Sequence, residues 1–189
     1  MLFFNFLKGY GLVILTEERK EEIEKLITSF CEDCDLPQDG PIDVVLVARK
    51  KGFVVQRLNM GKDTTGMMLY DSENNIAGTN TNKLIVIKKG LPEEKSRLIL
   101  AHELGHYAFQ MGEKCKIASR EYSRLKISPE EQDADYFARA LLMPKNRIVS
   151  LIEKLKAQGL SDNEIICSIA EIFKVTESKA KLRFYDLIN

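Results

Sequence analysis

Ile23, Leu26, Ile27 and Phe30 recur at i, i+3, i+4 and i+7, which predicts an amphipathic helix. Thr16 is a good cap for its start, and Glu17 and Glu18 sit where carboxylates favour the positive end of the helix dipole. The stretch CEDCDLPQDGP then closes it in a loop. From Ile42 to about Lys89 the pattern changes to short runs rich in β-branched or bulky apolar residues: VVLVA, FVVQRL, GMMLY and KLIVIKK. The turns KKG, GKD and SENN that part them are too short for helical crossovers, so a small, mainly antiparallel sheet is expected. KLIVIKK, Lys83 to Lys89, is the expected edge strand for an extended peptide partner.

Helical signals return after Pro92 and run through EEKSRLILAHELGHYAFQM. A polar stretch from Gly112 to Ile127 follows. Ser128-Pro129 opens another helix, which LLMP at Leu141 to Pro144 closes, because the residue before a proline resists helical geometry. Two or three helices should fill the C-terminus, one of them started by a Ser161/Glu164 capping box with a Leu160/Ile165 staple. With no repeat and no low-complexity linker, the expectation is one α+β domain. It divides into an N-terminal arm and helix (1–41), a sheet and site core (42–144) and a C-terminal helical region (145–189).

Composition narrows the class. Of 189 residues 44% are hydrophobic, enough for a full core, while 28 Lys+Arg balance 28 Asp+Glu. A zero net charge disfavours a protein that lives by gripping phosphate backbones. Four cysteines are too few for a disulfide scaffold, so free thiols in a reducing cytoplasm are expected. The apolar start MLFFNFLKGYGLVIL has no preceding basic residue or small-residue cleavage site, and Asn5, Lys8, Gly9 and Gly11 interrupt it. It is read as an ordered arm or first strand of a soluble protein, not a membrane span.

The chemistry lies in HELGH, His102 to His106. On a helix, i and i+4 share a face one turn apart, so both imidazoles can reach a single ion. Glu103 stands beside them, where a carboxylate can take the proton of a water held there. The chain has two histidines and both are in this motif, so a third protein ligand must be a carboxylate or a cysteine. Phe109 and Gly112 occupy the positions where a metzincin would carry glycine and histidine. Downstream, EEQDADYFARALLMP offers Glu130, Glu131, Asp133 and Asp135. Steps of about 100° put Glu131 and Asp135 on one face and Asp133 nearly opposite, and Ala134 and Ala138 keep the favoured face slim. Glu131 is thus the candidate third ligand and Asp135 a candidate acceptor for a ligand histidine's other N–H. The competing role for Glu131 is local, as the return arm of a capping box with Ser128.

AHELGHY followed some 25 residues later by ExxADxFAxxLLMP resembles the ImmA/IrrE family of metallo-endopeptidases. The resemblance runs from the sheet region to LLMP. It implies a zincin-like core, a small twisted sheet packed on two helices that carry HExxH and the third ligand. It also implies one zinc ion held by His102, His106 and Glu131, with Glu103 catalytic. Departures occur where the family often reads RFTLAHELGH and has a histidine shortly after the tyrosine; here the chain reads RLILAHELGH and YAFQ. Family members cleave, or bind and inactivate, helix-turn-helix repressors, so the expected partner is such a protein and the expected role is regulation.

Other features carry less. Tyr107, Tyr122 and Tyr136 could each donate to a developing oxyanion, and Tyr107 and Tyr136 serve equally well as packing residues. Cys31 and Cys34 form a single CxxC without a second pair, while Cys115 and Cys167 stand alone, which reads as loop thiols. IAEIFKVTESKAKLRF, Ile169 to Phe184, has a helix-turn-helix outline with Lys179, Lys181 and Arg183 on its second helix. Without a basic excess, direct nucleic-acid binding is disfavoured. Two alternatives to proteolysis stand: a metal-containing module that sequesters a repressor intact, and a DNA-binding regulator using the C-terminal helices.

Overall fold

The computed structural model describes residues 15–71, 74–110, 120–121 and 128–188. The apolar arm, Tyr122 and Cys115 lie outside the described residues.

Thr16 caps α1 (Glu17–Phe30) by accepting from the Arg19 amide at 3.2 Å, and the helix buries Ile23, Ile27 and Phe30. The next element departs from expectation. VVLVA forms a helix, α2 (Val44–Lys50), not a strand. Asp43 accounts for it: its carboxylate accepts from the Val45 and Leu46 amides, both at 3.0 Å, and nucleates the first turn. Val44, Val47 and Ala48 are then buried at i, i+3 and i+4, a helical period that an unbroken apolar run conceals. Gly52, at φ +84°, makes the sharp exit into the sheet.

The sheet contains β1 (Val54–Leu58), β2 (Gly66–Tyr70), β3 (Lys83–Lys88) and the two-residue β4 (Arg120–Glu121), in the order β1-β3-β2-β4. β2 runs antiparallel to β3 and β4, whereas β1 and β3 are parallel, Val54 facing Leu84 and Leu58 facing Lys88. No helical crossover is needed because β2 serves as the return strand and β3 enters between its two predecessors. KLIVIKK is therefore not an edge strand. Both its sides are paired, and Leu84, Ile85, Val86 and Ile87 are all buried, as befits a strand covered on both faces.

α3 (Glu93–Gln110) packs across β2 and β3 and against α4 (Pro129–Leu142). Small residues set how closely the two helices approach. A methyl group on Gly105 would lie 3.2 Å from the Ala134 Cα and 3.1 Å from the Phe137 ring. Ser128 caps α4 and Pro129 opens it. Three helices complete the described chain: α5 (Lys145–Ala157), α6 (Asp162–Phe173) and α7 (Glu177–Ile188). The Ser161/Glu164 capping box is present, with the Glu164 carboxylate accepting from the Ser161 amide at 2.8 Å. The result is an α+β fold in which a small mixed sheet packs on the α3 and α4 pair. No described helix is long and apolar enough to cross a membrane.

Candidate metal centre

His102, Glu103 and His106 come from the buried middle of α3, where every residue from Ile99 to Ala108 is buried. Such a helix has no solvent face for polar side chains, so its polar residues must meet partners inside the protein. α4 supplies one. Glu131 turns its carboxylate toward the histidines, Oε2 lying 3.1 Å from His102 Nε2 and Oε1 lying 3.4 Å from His106 Nε2. The two Nε2 atoms are 3.0 Å apart, and the rings stand nearly perpendicular at 85°. The Glu131 amide donates to Ser128 Oγ at 3.4 Å, so the backbone of this residue serves the helix cap while its side chain serves the cluster.

This triangle can be tested against a metal. Four-coordinate zinc with bonds of about 2.0–2.2 Å places its ligand atoms roughly 3.3–3.6 Å apart. His102 and His106 meet different oxygens of the Glu131 carboxylate, and one ligand atom from each of the three residues lies within 4.8 Å of the others, close enough for a single ion. The chemistry fits as well: two imidazole nitrogens and a carboxylate are the donors that borderline divalent ions take. Among the described residues, His102, His106 and Glu131 form the one group of three or more such side chains able to hold an ion.

Glu103 is 1% exposed and faces the head of β2, where a Cβ on Gly66 would lie 3.5 Å from its Oε1 and 2.3 Å from Ile99. A side chain here would collide with Ile99, so glycine lets the strand lie directly against α3. Asp135 sits one turn beyond Glu131. Both its oxygens accept from Lys179 Nζ at 2.8 Å, and Oδ2 also accepts from Arg139 at 2.8 Å. Burial pushes this carboxyl up, but Lys179, Arg139 and the nearby His102 outweigh it and hold it below the ordinary aspartate range. Asp133, on the far side of α4, pairs with Arg19 of α1 at 2.6 Å.

The two tyrosines are engaged in other contacts. The Tyr107 hydroxyl accepts from Lys83 Nζ at 2.6 Å, within an aromatic cluster of Phe30, Phe53 and Tyr70. Tyr136 donates to Glu24 and accepts from Arg183, both at 3.1 Å, and burial pushes its phenol well above the usual range. Cys31 and Cys34 are free and buried, with burial pushing the Cys31 thiol up to about 12, whereas Cys167 is free and exposed. The helix-turn-helix outline has a different content from its sequence. Lys179 is bound to Asp135, and Arg183, fully buried, donates to the Met143 carbonyl at 3.0 Å and pairs with Glu24 at 2.6 Å. Sequence reasoning missed Arg139 and Lys179 as partners of Asp135. Arg139 lies at i+4, the spacing that could have revealed it, while Lys179 is 44 residues away and left no local signal.

Residues 48–185 match the family model Peptidase_M78, described as the IrrE N-terminal-like domain. No curated protein matches the chain. A solved structure named as a Mycobacterium tuberculosis transcriptional regulator aligns with 93% of this chain at 13% identity and a TM-score of 0.50. At that identity the likeness concerns the fold alone. The alignment covers 48% of the regulator, so this chain spans about half its length.

Proposed function

This chain belongs to the IrrE N-terminal-like peptidase family, a metallopeptidase family, and from that premise we propose that it is a zinc-dependent endopeptidase acting on a regulatory protein. One observation carries the reading: His102, His106 and Glu131 bring their ligand atoms within 4.8 Å of one another, with the buried Glu103 next to His102 on the same helix. His102, His106 and Glu131 would hold the ion. A zinc ion there would supply Lewis acidity toward the scissile carbonyl and lower the pKa of a water toward neutrality. Glu103 then takes a proton from the attacking water onto its carboxylate and returns it to the departing amine. Its burial keeps bulk water from competing for that proton.

An extended substrate is best accommodated along the outer side of β2, because Gly66 lets that strand lie against α3 beside Glu103 and, among the described residues, β4 pairs with it at Met67 and Met68 alone. A helix-turn-helix repressor is the proposed substrate, supported by the family resemblance. A cytoplasmic setting belongs to the same proposal, supported by the free Cys31 and Cys34 thiols. The DNA-binding alternative is weakened because Lys179 and Arg183 are committed to partners inside the protein.

The test pairs metal analysis with cleavage of a co-encoded repressor by the purified chain. Glu103→Gln should keep its zinc and lose hydrolysis by about 100- to 10,000-fold. Cleavage by that variant at the wild-type rate would overturn the mechanism. Capture of an intact repressor by zinc-loaded wild type, with no cut product by mass spectrometry, would replace proteolysis with sequestration.

A further inference from the structure

β1 ends the sheet on the side away from β2 and β4. Among the described residues it pairs with β3 alone. One contact fixes how its backbone is turned. The Leu58 carbonyl accepts from the Lys89 amide at 2.8 Å, so Leu58 directs its backbone groups toward β3. These groups alternate along a strand, so Gln56 and Val54 turn the same way, and the N–H and C=O groups of Val55 and Arg57 face the open edge.

The two faces of that edge differ in chemistry. On one, Val54 and Leu58 are 42% and 49% exposed. On the other, a cavity of about 250 Å³ lies between β1, α2 and α3, lined by Val55, Leu100 and three arginines: Arg49 of α2, Arg57 of β1 and Arg97 of α3. Among the described residues none of the three forms an ion pair, whereas Arg19, Arg139 and Arg183 each meet a carboxylate. Arg97 is held by the carbonyls of Ile42, Lys174 and Phe173 at 2.9, 3.2 and 3.3 Å, which are neutral acceptors. Glu93 and Glu94 act on it only at longer range, and Asp43 commits its carboxylate to the Val45 and Leu46 amides.

We propose that this edge is a docking site for an extended segment of a partner protein in which acidic residues alternate with apolar ones. The segment pairs its backbone with Val55 and Arg57, turns its carboxylates toward the arginines and lays its apolar side chains beside Val54 and Leu58. The site lies across the sheet from the outer side of β2, so it can hold a partner without occupying the place proposed for substrate. It does not depend on the metal reading. A single charge on an edge strand serves to keep other strands away. Three arginines brought from three elements around one cavity go beyond that need. A second copy of this chain is the wrong occupant, because pairing two β1 edges would set one arginine cluster beside another. Nucleic acid offers phosphates but no strand backbone to complete the ladder.

The probe is a fluorescein-labelled heptapeptide of alternating glutamate and valine, titrated with the full chain and read by anisotropy. Wild type should bind it saturably, and added salt should weaken the binding severalfold. Arg57→Glu and Arg49→Glu, both at exposed positions, should each cost about tenfold or more. Arg57→Gln should cost severalfold and serves if the reversal fails to fold. Lys154→Glu, an equal change of charge at an exposed position on α5, should leave affinity unchanged. N-methylation of every peptide amide keeps the carboxylates but removes the ladder donors, and should abolish binding. The inference is overturned if wild type shows no saturable binding, if folded Arg49 and Arg57 variants keep full affinity, or if Lys154→Glu loses as much. Undiminished binding of the N-methylated peptide would also overturn it, since charge alone would then hold the ligand. So would tighter binding of a short DNA duplex, which would assign the arginines to phosphates.

Discussion

Among the described residues, the buried polar clusters around Arg183 and around His102 are built on opposite plans. Around Arg183 the charges close on themselves. The guanidinium pairs with Glu24, donates to Tyr136 and to the Met143 carbonyl, and Tyr136 donates in turn to Glu24. Donors meet acceptors and a cation meets an anion, so the ring fastens α7, α4 and α1 together with no outside component. Around His102 the groups converge instead of closing into a ring. Two imidazole nitrogens and a carboxylate point at a common centre, and neutral imidazoles facing each other can share only one hydrogen bond between those nitrogens. A closed ring stabilises a fold, whereas a convergence of metal-ligating side chains anticipates a cation. Burial alone does not separate them; the sign and direction of the groups do.

The comparison breaks most decisively through a pair of variants. Arg183→Met should destabilise the protein by about 3–5 kcal/mol in urea unfolding, because Glu24 and Tyr136 lose a buried partner. Its zinc affinity, measured under conditions where it stays folded, should be nearly that of wild type. Glu131→Gln should do the reverse. Zinc affinity should fall more than about 100-fold, since even outer partners of a ligand are worth 10–100-fold. Its metal-free stability should change by less than about 1 kcal/mol, because Ser128 caps through the residue's backbone amide whatever its side chain. Equal stability losses in the two variants would erase the distinction.

Gly105→Ala sharpens it from the packing side. The added methyl meets Ala134 and Phe137 at 3.1–3.2 Å, pressing α4 away from α3. A gain of up to about 1 kcal/mol in helix propensity offsets part of the overpacking. Chelator competition should show weaker zinc binding while the melting temperature barely moves. The smallest effect is expected at Asp133→Ala. Its pair with the 40% exposed Arg19 stabilises by roughly 0.5–1 kcal/mol, and chelator competition should give wild-type zinc affinity because Asp133 lies on the opposite side of α4 from Glu131.

The helices that carry the candidate site were legible in the sequence because the spacing of its residues follows a helical period. HELGH and the Glu131/Asp135 spacing make sense only at 3.6 residues per turn, and Ser128-Pro129 marks where α4 begins. VVLVA had no such constraint. Five consecutive apolar residues, three of them valine, favour a strand by propensity, and only Asp43 before them carried the helical signal. Strand order was hidden for another reason. Pairing partners are chosen across the sheet, and the turns between strands do not reveal it. The unbroken LIVI of β3 was nonetheless a sign of a strand buried on both faces, which an edge strand seldom is. Lys179 and Arg183 show the limit most clearly, since a basic residue on an amphipathic helix looks the same whether it meets phosphate or an aspartate 44 positions away.

The interior position of β3 also constrains the order of assembly. β2 and β3 are neighbours in sequence and can pair as a hairpin once a short loop closes, before any other strand is in place. Among the described residues β1 has β3 as its sole neighbour, so it pairs only once that hairpin exists, in a parallel register that sets Val54 against Leu84. The strand synthesised first must therefore wait for the strand synthesised third. During that interval Val54 and Leu58, still exposed in the finished sheet, sit on a segment with no ladder to join. A chain emerging from the ribosome gains its sheet only after residue 88 is free, and α3 needs that sheet as its floor. The site residues on α3 thus come together late, when the hairpin, β1 and α4 have all arrived.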